Sequence, residues 1–523
     1  MQKNIHRIIL IFSILFLDSS FAIKAQTSVN PDSSLQSILN GLEGTELTLA
    51  QAQEYALKNS TSIRRAEAGY LAAAGSLRRE RGFFDPELFF RINYEDIKEP
   101  TASFFAGADV LITKSTTSQT GLKMNLPIGT QLELSLNTLS LKTNSQFAFL
   151  NPEYDAFGSL SFRQPLLGGF TASGRKTLTS AELQFEAEQK RYEQEVVAIN
   201  SQIEKTYWNL YTSVRDYAVQ KLTRDRAAAF LKETELRQQA GLVGPNQTAS
   251  AKTFLAQQEL LLIDREEQLD AQSDQLAVLI GVRPEKGSVR FKVIDNPPNN
   301  FSVVPVEEII ENAFDNNLEL QAAQKDLDAI NILADAASWE ALPRVDLTGS
   351  LVSTGIGGDS KDIIFGGDTL RTTSGGSFGD VLNQVFKRKF PGWNIGVEVS
   401  LPIGLRKGLG EKDRLEATAL NVQQRYVELS RILEQQIRAA HRELSHGGNR
   451  LKAASEGVEA AQEQVRIGTI EFQNGRITAF ELVRLNEDFA IAQRSYSQAL
   501  VQTVNAIATL KQLTSGKYPV TTN

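Results

Sequence analysis

A proline-free stretch from Gly410 to Gly475 constrains the fold of this 523-residue chain more than any other feature. Its apolar and small residues recur at alternating intervals of three and four, so they share one face of a nearly straight helix. These residues are Val422, Tyr426, Leu429, Leu433, Ile437, Ala440, Leu444, Gly447, Leu451, Ala454, Val458, Ala461, Val465, Gly468 and Phe472. At about 1.5 Å per residue, the predicted helix is roughly 100 Å long. It must pack lengthwise against other helices of comparable length.

The N-terminus has the pattern of an export signal. Lys3 and Arg7 precede an apolar run at 8–17, which is too short to span a bilayer as a helix. We predict a signal peptide over 1–25 and a polar leader over 26–46. No later run reaches the length of a membrane helix, so the exported chain is periplasmic, secreted or an outer-membrane barrel. Because cysteine is absent, disulfides and a lipid-modified N-terminal cysteine are excluded.

The chain also contains an internal duplication. Aligning Asn59 with Asn316 places Pro86 on Pro343 without a gap. In both copies an amphipathic helical pattern changes to the alternation of a strand at this proline. Each copy continues with a second strand pattern, a long helix and a shorter helix. The predicted helices lie at 47–82, 174–240 and 245–280 in the first copy, and at 306–341, 410–475 and 478–513 in the second.

This order predicts two tandem units whose two shorter helices stack end to end alongside the long one. At about 36 residues each, the shorter helices together match its length. The predicted division is repeat 1 at 47–281 with strands at about 84–165, a linker at 282–304, repeat 2 at 305–516 with strands at about 343–402, and a tail at 517–523. A glycine-rich segment at 354–380 favours a mobile surface loop over a calcium-binding repeat, because the glycines and acids of that repeat are incomplete.

Four prolines mark the predicted changes between helix and strand, because proline cannot continue a helix interior. They are Pro86, Pro165, Pro343 and Pro402. The sequence also predicts a hairpin at 117–140, with its turn at Pro127 to Gly129. This hairpin either adds two strands or caps a surface.

The tandem units resemble the TolC-like outer-membrane efflux protein family over roughly residues 45–516. The segments that carry the resemblance are Gln164-Pro165-Leu166-Leu167-Gly168-Gly169, the turn at 240–243, and the segment from Phe472 to Val483. The resemblance implies a mainly α fold with membrane β strands. Three chains would each give four strands to a 12-stranded outer-membrane barrel that continues into a periplasmic α-helical barrel. Pooling of strands is physically required, because an open sheet edge in lipid leaves backbone groups unpaired.

The same resemblance implies the channel subunit of a tripartite efflux or type I secretion system in the outer membrane of a Gram-negative bacterium, extending into the periplasm. Besides the homotrimer and outer-membrane lipid, its partners would be a periplasmic adaptor (membrane fusion) protein and an inner-membrane pump of RND, ABC or MFS type. The conduit would be passive and without a cofactor, and its cargo would be small molecules or protein. The net charge of −7, with acids and bases interleaved, argues against nucleic acid as a partner.

In the family, the turns after the two long helices are periplasmic tips that meet the adaptor. The resemblance therefore implies adaptor-docking tips at two sets of residues, Gly241, Leu242 and Val243, and Gly475, Arg476 and Ile477. The alternative is that Gly241 and Gly475 are only helix caps. Both descriptions can hold, because a cap exposed at a tip can also be a contact.

Family channels narrow at this end through acidic residues, and the matching position is Glu481. Three copies would form a ring of carboxylates that favours cations. The alternative is a capping box, since Thr478-x-x-Glu481 fits that motif. Arg484 stands where a second acid is expected.

Three further aperture positions depart from the best-known member of the family. Phe472 and Ile477 replace a tyrosine and an arginine that tie closed tips together, and Asn246 replaces an acid. We therefore do not expect that lock, and an apolar contact is the alternative.

Two other classes of protein fit the sequence less well. An enzyme is disfavoured, because His441 and His446 lie about 140° apart around one helix and no catalytic motif is found. A periplasmic helical scaffold or coiled-coil adhesin without a pore explains the helices. It does not explain strands at the same place in both units.

Overall fold

The computed structural model describes residues 33–170, 172–298 and 301–518. The predicted signal peptide and the first part of the leader lie outside the described residues, as does most of the tail. In the described ranges, long helices lie at one end of a single large antiparallel sheet.

The first unit has the predicted order of helices and strands, preceded by a short helix and strand of the leader. Its elements are α1 (Ser33–Asn40), β1 (Thr45–Leu47), α2 (Leu49–Asn59), α3 (Thr61–Gly82), β2 (Glu87–Pro100), β3 (Val110–Asn125), β4 (Gln131–Thr143), β5 (Leu150–Leu167), α4 (Ala172–Gln239) and α5 (Pro245–Ile280). The linker then supplies β6 (Phe291–Val293), which pairs in parallel with β1.

The second unit repeats the helices but not the number of strands. Its elements are α6 (Val306–Asn316), α7 (Leu318–Glu340), β7 (Arg344–Ser360), β8 (Ile363–Phe365), β9 (Asp368–Leu370), α8 (Phe378–Phe386), β10 (Phe390–Ser400), α9 (Arg406–Gln473) and α10 (Ala479–Leu513). The small strands β8 and β9 pair only with each other.

The long helices α4 and α9 have 68 residues each and are therefore about 100 Å long. The predicted apolar stripe of α9 faces its neighbours, since ten of its residues are buried. They are Leu433, Ile437, Ala440, Leu444, Gly447, Leu451, Val458, Ala461, Gly468 and Phe472. The two glycines of the stripe allow α9 to approach α10 closely. A Cβ on Gly447 would lie 2.5 Å from Thr503 Oγ1, and a still closer contact with Leu485 would arise at Gly468.

The shorter helices stack end to end as predicted, but the predicted single helices over 47–82 and 306–341 are each broken in two. The breaks fall at equivalent positions, Ser60 and Asn317, one residue after the aligned asparagines. Asn317 accepts from the Leu320 amide and donates from Nδ2 to the Leu513 carbonyl, both at 2.9 Å. Its side chain therefore caps the N-terminus of α7 and binds the last residue of α10. In the first unit, the end of α5 at Gly281 lies against Asn59.

The large sheet has six strands in the order β10-β7-β5-β4-β3-β2, and every neighbouring pair is antiparallel. The expectation of four strands per chain is therefore wrong for this chain. The difference is the predicted hairpin, because β3 and β4 pair along their length with each other and with the flanking strands. Gly129, at φ +86°, forms the turn between them.

The two faces of this sheet differ in polarity. Residues paired across neighbouring strands share a face. One row across all six strands is wholly apolar, consisting of Leu88, Leu122, Leu134, Leu160, Leu351 and Trp393. The next row, on the opposite face, is wholly polar, consisting of Glu87, Lys123, Glu133, Ser161, Ser350 and Asn394. The face that carries the apolar row is called the apolar face below, and farther from the helices it also carries the small polar residues Ser118, Thr138 and Ser353.

Three of the four prolines lie outside the strands, and the glycine-rich segment is ordered. Pro86 and Pro343 directly precede β2 and β7, and Pro402 follows β10. Pro165 instead lies inside β5, where the register with β7 shifts. The surface loop predicted at 354–380 is wrong over much of its length, since the segment completes β7, forms the β8–β9 hairpin and begins α8.

Candidate functional site: the helix tips

The two long helices end in the same turn. After α4, the Leu242 amide donates to the Arg237 carbonyl at 2.9 Å, and Gly241 adopts φ +72°. After α9, the Arg476 amide donates to the Glu471 carbonyl at 2.8 Å, and Gly475 adopts φ +69°. A side chain is strained at such φ values, so glycine is the natural residue in both turns.

Both glycines are exposed at the far end of the helices from the sheet. A Cβ built on Gly241 or Gly475 would meet no atom within 4 Å. Leu242 is 75% exposed, whereas Val243 and Ile477 are half-buried. The six predicted tip residues therefore form two capped turns with an open outer surface.

A cluster of side chains joins the end of α4 to the end of α9. Phe472 is 6% exposed, and its ring centroid lies 5.6 Å from that of Phe230. Leu482 and Ile477 complete this apolar contact. The Arg237 guanidinium lies 4.4 Å from the centroid of the Phe472 ring, a cation–π distance. This group, Phe230, Arg237, Phe472, Ile477 and Leu482, is called the tip cluster below.

Glu481 is held by its own helix. The Thr478 amide donates to Glu481 Oε2 at 2.7 Å, and the Glu481 amide donates to the Thr478 hydroxyl at 3.3 Å. These two bonds make the capping box. The backbone hydrogen bond from Thr478 is the main reason that the pKa of Glu481 is lowered, and the Thr478 hydroxyl adds to it. The carboxylate is exposed and stays ionised at neutral pH.

The other two polar aperture residues, Arg484 and Asn246, form no hydrogen bond or ion pair with that carboxylate among the described residues. Arg484 Nε lies 4.0 Å from Asp488, one turn further along α10. Asn246 is exposed in the first turn of α5, where its carbonyl accepts from the Ser250 hydroxyl at 3.0 Å. Within one chain, Phe472 and Ile477 therefore share an apolar contact, whereas no hydrogen bond or ion pair joins Asn246, Glu481 and Arg484 to one another among the described residues.

Sequence reasoning missed Arg237 and Phe230. They are seven residues apart and share one face of α4, four and eleven residues before the tip glycine. That spacing was available in the sequence. Their contact with Phe472 could not be predicted in the same way, because Phe472 lies 235 residues from Arg237 in the chain.

A second unpredicted group lies deep between α4, α5 and α10. Asp216 is 8% exposed, and burial raises its pKa to about 6, against the opposing effect of Arg265, Arg494 and Arg215. Its Oδ1 has no hydrogen-bond partner among the described residues. Burial therefore destabilises the ionised form of this carboxylate.

Within the described ranges, no group of histidine, cysteine and acidic residues is arranged to hold a metal. His441 lies 3.0 Å from the Val304 carbonyl through Nε2. Among the helices that the structure describes, none is both long and apolar enough to span a membrane.

Residues 309–516 match the model of the outer membrane efflux protein family. The resemblance to this family is confirmed. The family description names the outer membrane and efflux, so the expected location and the expectation that the chain is not an enzyme are confirmed as well. A comparison with curated proteins finds no match.

Solved structures extend the likeness to the whole fold. The outer-membrane channel OprN is 16% identical, with a TM-score of 0.65 over 93% of this chain and 92% of that one. The CmeC outer membrane channel of Campylobacter jejuni is 15% identical, with a TM-score of 0.61 over 94% and 88%. The outer membrane protein VceC of Vibrio cholerae is 16% identical, with a TM-score of 0.62 over 90% and 97%. At these identities the likeness concerns the fold.

Proposed function

We propose that three copies of this chain form a passive channel through the outer membrane and the periplasm, as the outer-membrane subunit of a tripartite efflux system. The observation that carries the proposal is the six-stranded sheet, which has a wholly apolar row across one face, a wholly polar row across the other face and two unpaired edges. An apolar face suits lipid and a polar face suits a water-filled lumen. Four residues of β2 on the apolar face, Leu88, Phe90, Ile92 and Tyr94, are more than 60% exposed in the single chain.

The edge strands explain why closure needs further copies. In the single chain β2 and β10 each have a neighbour on one side only. Because six strands alternate in direction, β10 of one copy and β2 of the next would run antiparallel, as a closed barrel requires. Three copies would supply eighteen strands, three times the six of one chain. We therefore propose a barrel wider than the twelve strands that the family resemblance implies.

At the other end, the exposed turns around Gly241 and Gly475 are proposed to dock a periplasmic adaptor protein. Their outer surfaces are free of contacts from the described chain, and they carry one exposed apolar side chain, Leu242. An inner-membrane pump would supply the energy, since the chain is proposed to act only as a conduit. Opening would separate the end of α4 from the end of α9, which the tip cluster holds together.

The test is the molecular mass and conductance of the purified protein. We expect a trimer in detergent, and discrete conductance steps after insertion into a planar bilayer. An electron-microscopy map of the trimer would give the strand count. A water-soluble monomer without conductance would refute the channel and favour a periplasmic scaffold or adhesin.

A further inference from the structure

The short helix α8 lies on the apolar face, near the end of the sheet that is farthest from the long helices. Val381 and Val385 are buried against β5 and β7, in a cluster with Ala156 and Leu136. Phe378 meets the ring of Tyr154 edge-on at 5.7 Å. A helix that covers the lipid-facing side of a sheet is itself exposed to lipid on its outer side.

The sheet is shaped to receive this helix. Beneath α8, the apolar face carries Gly158, Gly355 and Gly357 in place of larger side chains. A Cβ on Gly158 would lie 2.8 Å from Val385 Cγ1, and one on Gly357 would lie 2.7 Å from Val381 Cγ2. Glycine is therefore required for α8 to approach the backbone of the strands.

Polar contacts fix the helix in place. The Ser353 hydroxyl donates to the Val385 carbonyl at 2.9 Å. The Gln384 amide group donates to the Ile356 carbonyl at 3.1 Å and accepts from the Ile356 amide at 3.3 Å, so it pairs with β7 beyond the point where β10 begins. The position of α8 is thus a built feature of the sheet.

Immediately after α8, three basic residues follow one another, Lys387, Arg388 and Lys389. All three are exposed, and none forms an ion pair with a carboxylate among the described residues. Lys389 Nζ lies 5.5 Å from the ring centroid of Phe390. The residue before them, Phe386, is 73% exposed. An exposed aromatic ring beside unpaired cations is typical of a segment at the boundary between acyl chains and headgroups.

Arg388 occupies a position where glycine would be more stable. It has φ +51°, and the Lys389 amide donates to the Gln384 carbonyl at 2.9 Å, which closes the turn at the end of α8. Such a turn normally uses glycine, and another residue is strained there. Arg388→Gly would therefore remove this cation without straining the turn.

We propose that α8 and the segment Lys387-Arg388-Lys389 bind the phosphate headgroup of an anionic lipid in the outer leaflet. The inference rests on the proposed function, because it takes the apolar face to be the lipid-facing one. Phe386 enters the acyl layer, and the three cations meet the phosphate. The lipid thereby fixes the depth of the barrel in the membrane.

The test uses the purified protein in detergent, equilibrated with equal amounts of phosphatidylglycerol and phosphatidylcholine, with bound lipid counted by native mass spectrometry. Wild type should retain phosphatidylglycerol preferentially. Arg388→Gly should lower this retention about fivefold, the loss for one basic residue at an anionic surface. The same variant should be folded at least as stably, since glycine relieves the strained turn.

The matched control is Lys452→Gln, which removes one charge from a side chain that is 78% exposed on α9, far from the sheet. It should leave the lipid preference unchanged. Equal retention of both lipids by wild type, or an equal loss in Arg388→Gly and Lys452→Gln, would overturn the proposal. Displacement of the lipid by inorganic phosphate at the same concentration would also overturn it, because the site would then bind a free anion.

Two further measurements separate the remaining explanations. The last residues of β2 include the acids Glu95, Asp96 and Glu99. If the lipid-free Arg388→Gly trimer dissociates at a lower temperature than wild type, the basic segment binds these acids of a neighbouring copy, and the lipid assignment is wrong. Conductance measured on the same samples should be equal for wild type and Arg388→Gly. If no conductance is found while the lipid preference persists, the channel proposal fails and the lipid site stands.

Discussion

The contact between Arg237 and Phe472 should help to hold the helix tips together. Arg237 contacts the Phe472 ring face at 4.4 Å, and its side chain is 24% exposed. Cation–π pairs contribute about 0.5–1 kcal/mol when exposed and about 2 kcal/mol when desolvated. For this partly exposed pair we take about 1 kcal/mol. Since 1.4 kcal/mol is a factor of ten, Arg237→Ala should increase the ratio of separated to closed tips about fivefold.

The assay is the open probability of single channels in a planar bilayer. Arg237→Ala should raise it, and Arg237→Lys should have an intermediate effect, because lysine keeps the charge but lacks the planar guanidinium that stacks on a ring. Phe472→Leu should have a larger effect, since it also weakens the packing of Phe230 and Leu482. A double-mutant cycle between Arg237→Ala and Phe472→Leu isolates the cation–π contribution.

Arg484→Ala is the control for loss of a positive charge at the same end of the molecule. Its side chain is 75% exposed and lies 4.0 Å from Asp488, a distance and exposure at which an ion pair contributes little. It should leave the open probability unchanged. If Arg237→Ala and Arg484→Ala open the channel equally, or if the cycle shows no coupling between Arg237 and Phe472, the tip cluster does not act as a latch.

Three further predictions concern the tips, the helix interior and the helix break. Gly241→Trp and Gly475→Trp should each abolish adaptor-dependent efflux in cells, because the new side chain projects outward from the tip. The trimer should be retained in the outer membrane, since the strained φ costs only about 1 kcal/mol. Unchanged drug tolerance in both variants would contradict docking at the tips. Asp216→Asn should gain about 2 kcal/mol relative to wild type between pH 4 and pH 7.5, measured by hydrogen exchange in α4. Burial raises the folded pKa of Asp216 from 3.8 to about 6, so the wild type loses stability as the pH rises from about 4 to about 6, where the unfolded carboxyl ionises and the folded one keeps its proton. Asparagine does not titrate, so the variant has no such loss. Asn317→Ala should destabilise the α7–α10 junction by about 2 kcal/mol, since it removes a cap and leaves the Leu513 carbonyl unpaired. Ser60→Ala is its control, because Ser60 makes no side-chain capping bond.

Features set by local pattern could be predicted from the sequence. The stripe of α9, the end-to-end stacking of the shorter helices and the turn at Gly129 follow from spacing, length and turn residues. Features that depend on distant partners could not be predicted. No local periodicity predicts the hydrogen bond from Asn317 to Leu513 or the cation–π contact between Arg237 and Phe472. Nor does it predict that α8 packs on the glycines of β7. The glycine-rich composition of this segment indicated a loop. The helix that covers these glycines lies further along the chain, so the local sequence does not show why glycine is needed there.

The strand count shows why the duplication constrained the helices more tightly than the sheet. The α4 and α9 helices have the same length because each must be matched by a pair of shorter helices beside it. A sheet has no such requirement, since an antiparallel hairpin can enter between two strands without changing the direction of either. The added β3–β4 hairpin does this between β2 and β5. Its turn packs on the first residues of α4, where a Cβ on Gly174 would lie 3.0 Å from the Gly129 nitrogen. An added hairpin thus widens the sheet by two strands per copy while the number of helices in each unit is unchanged.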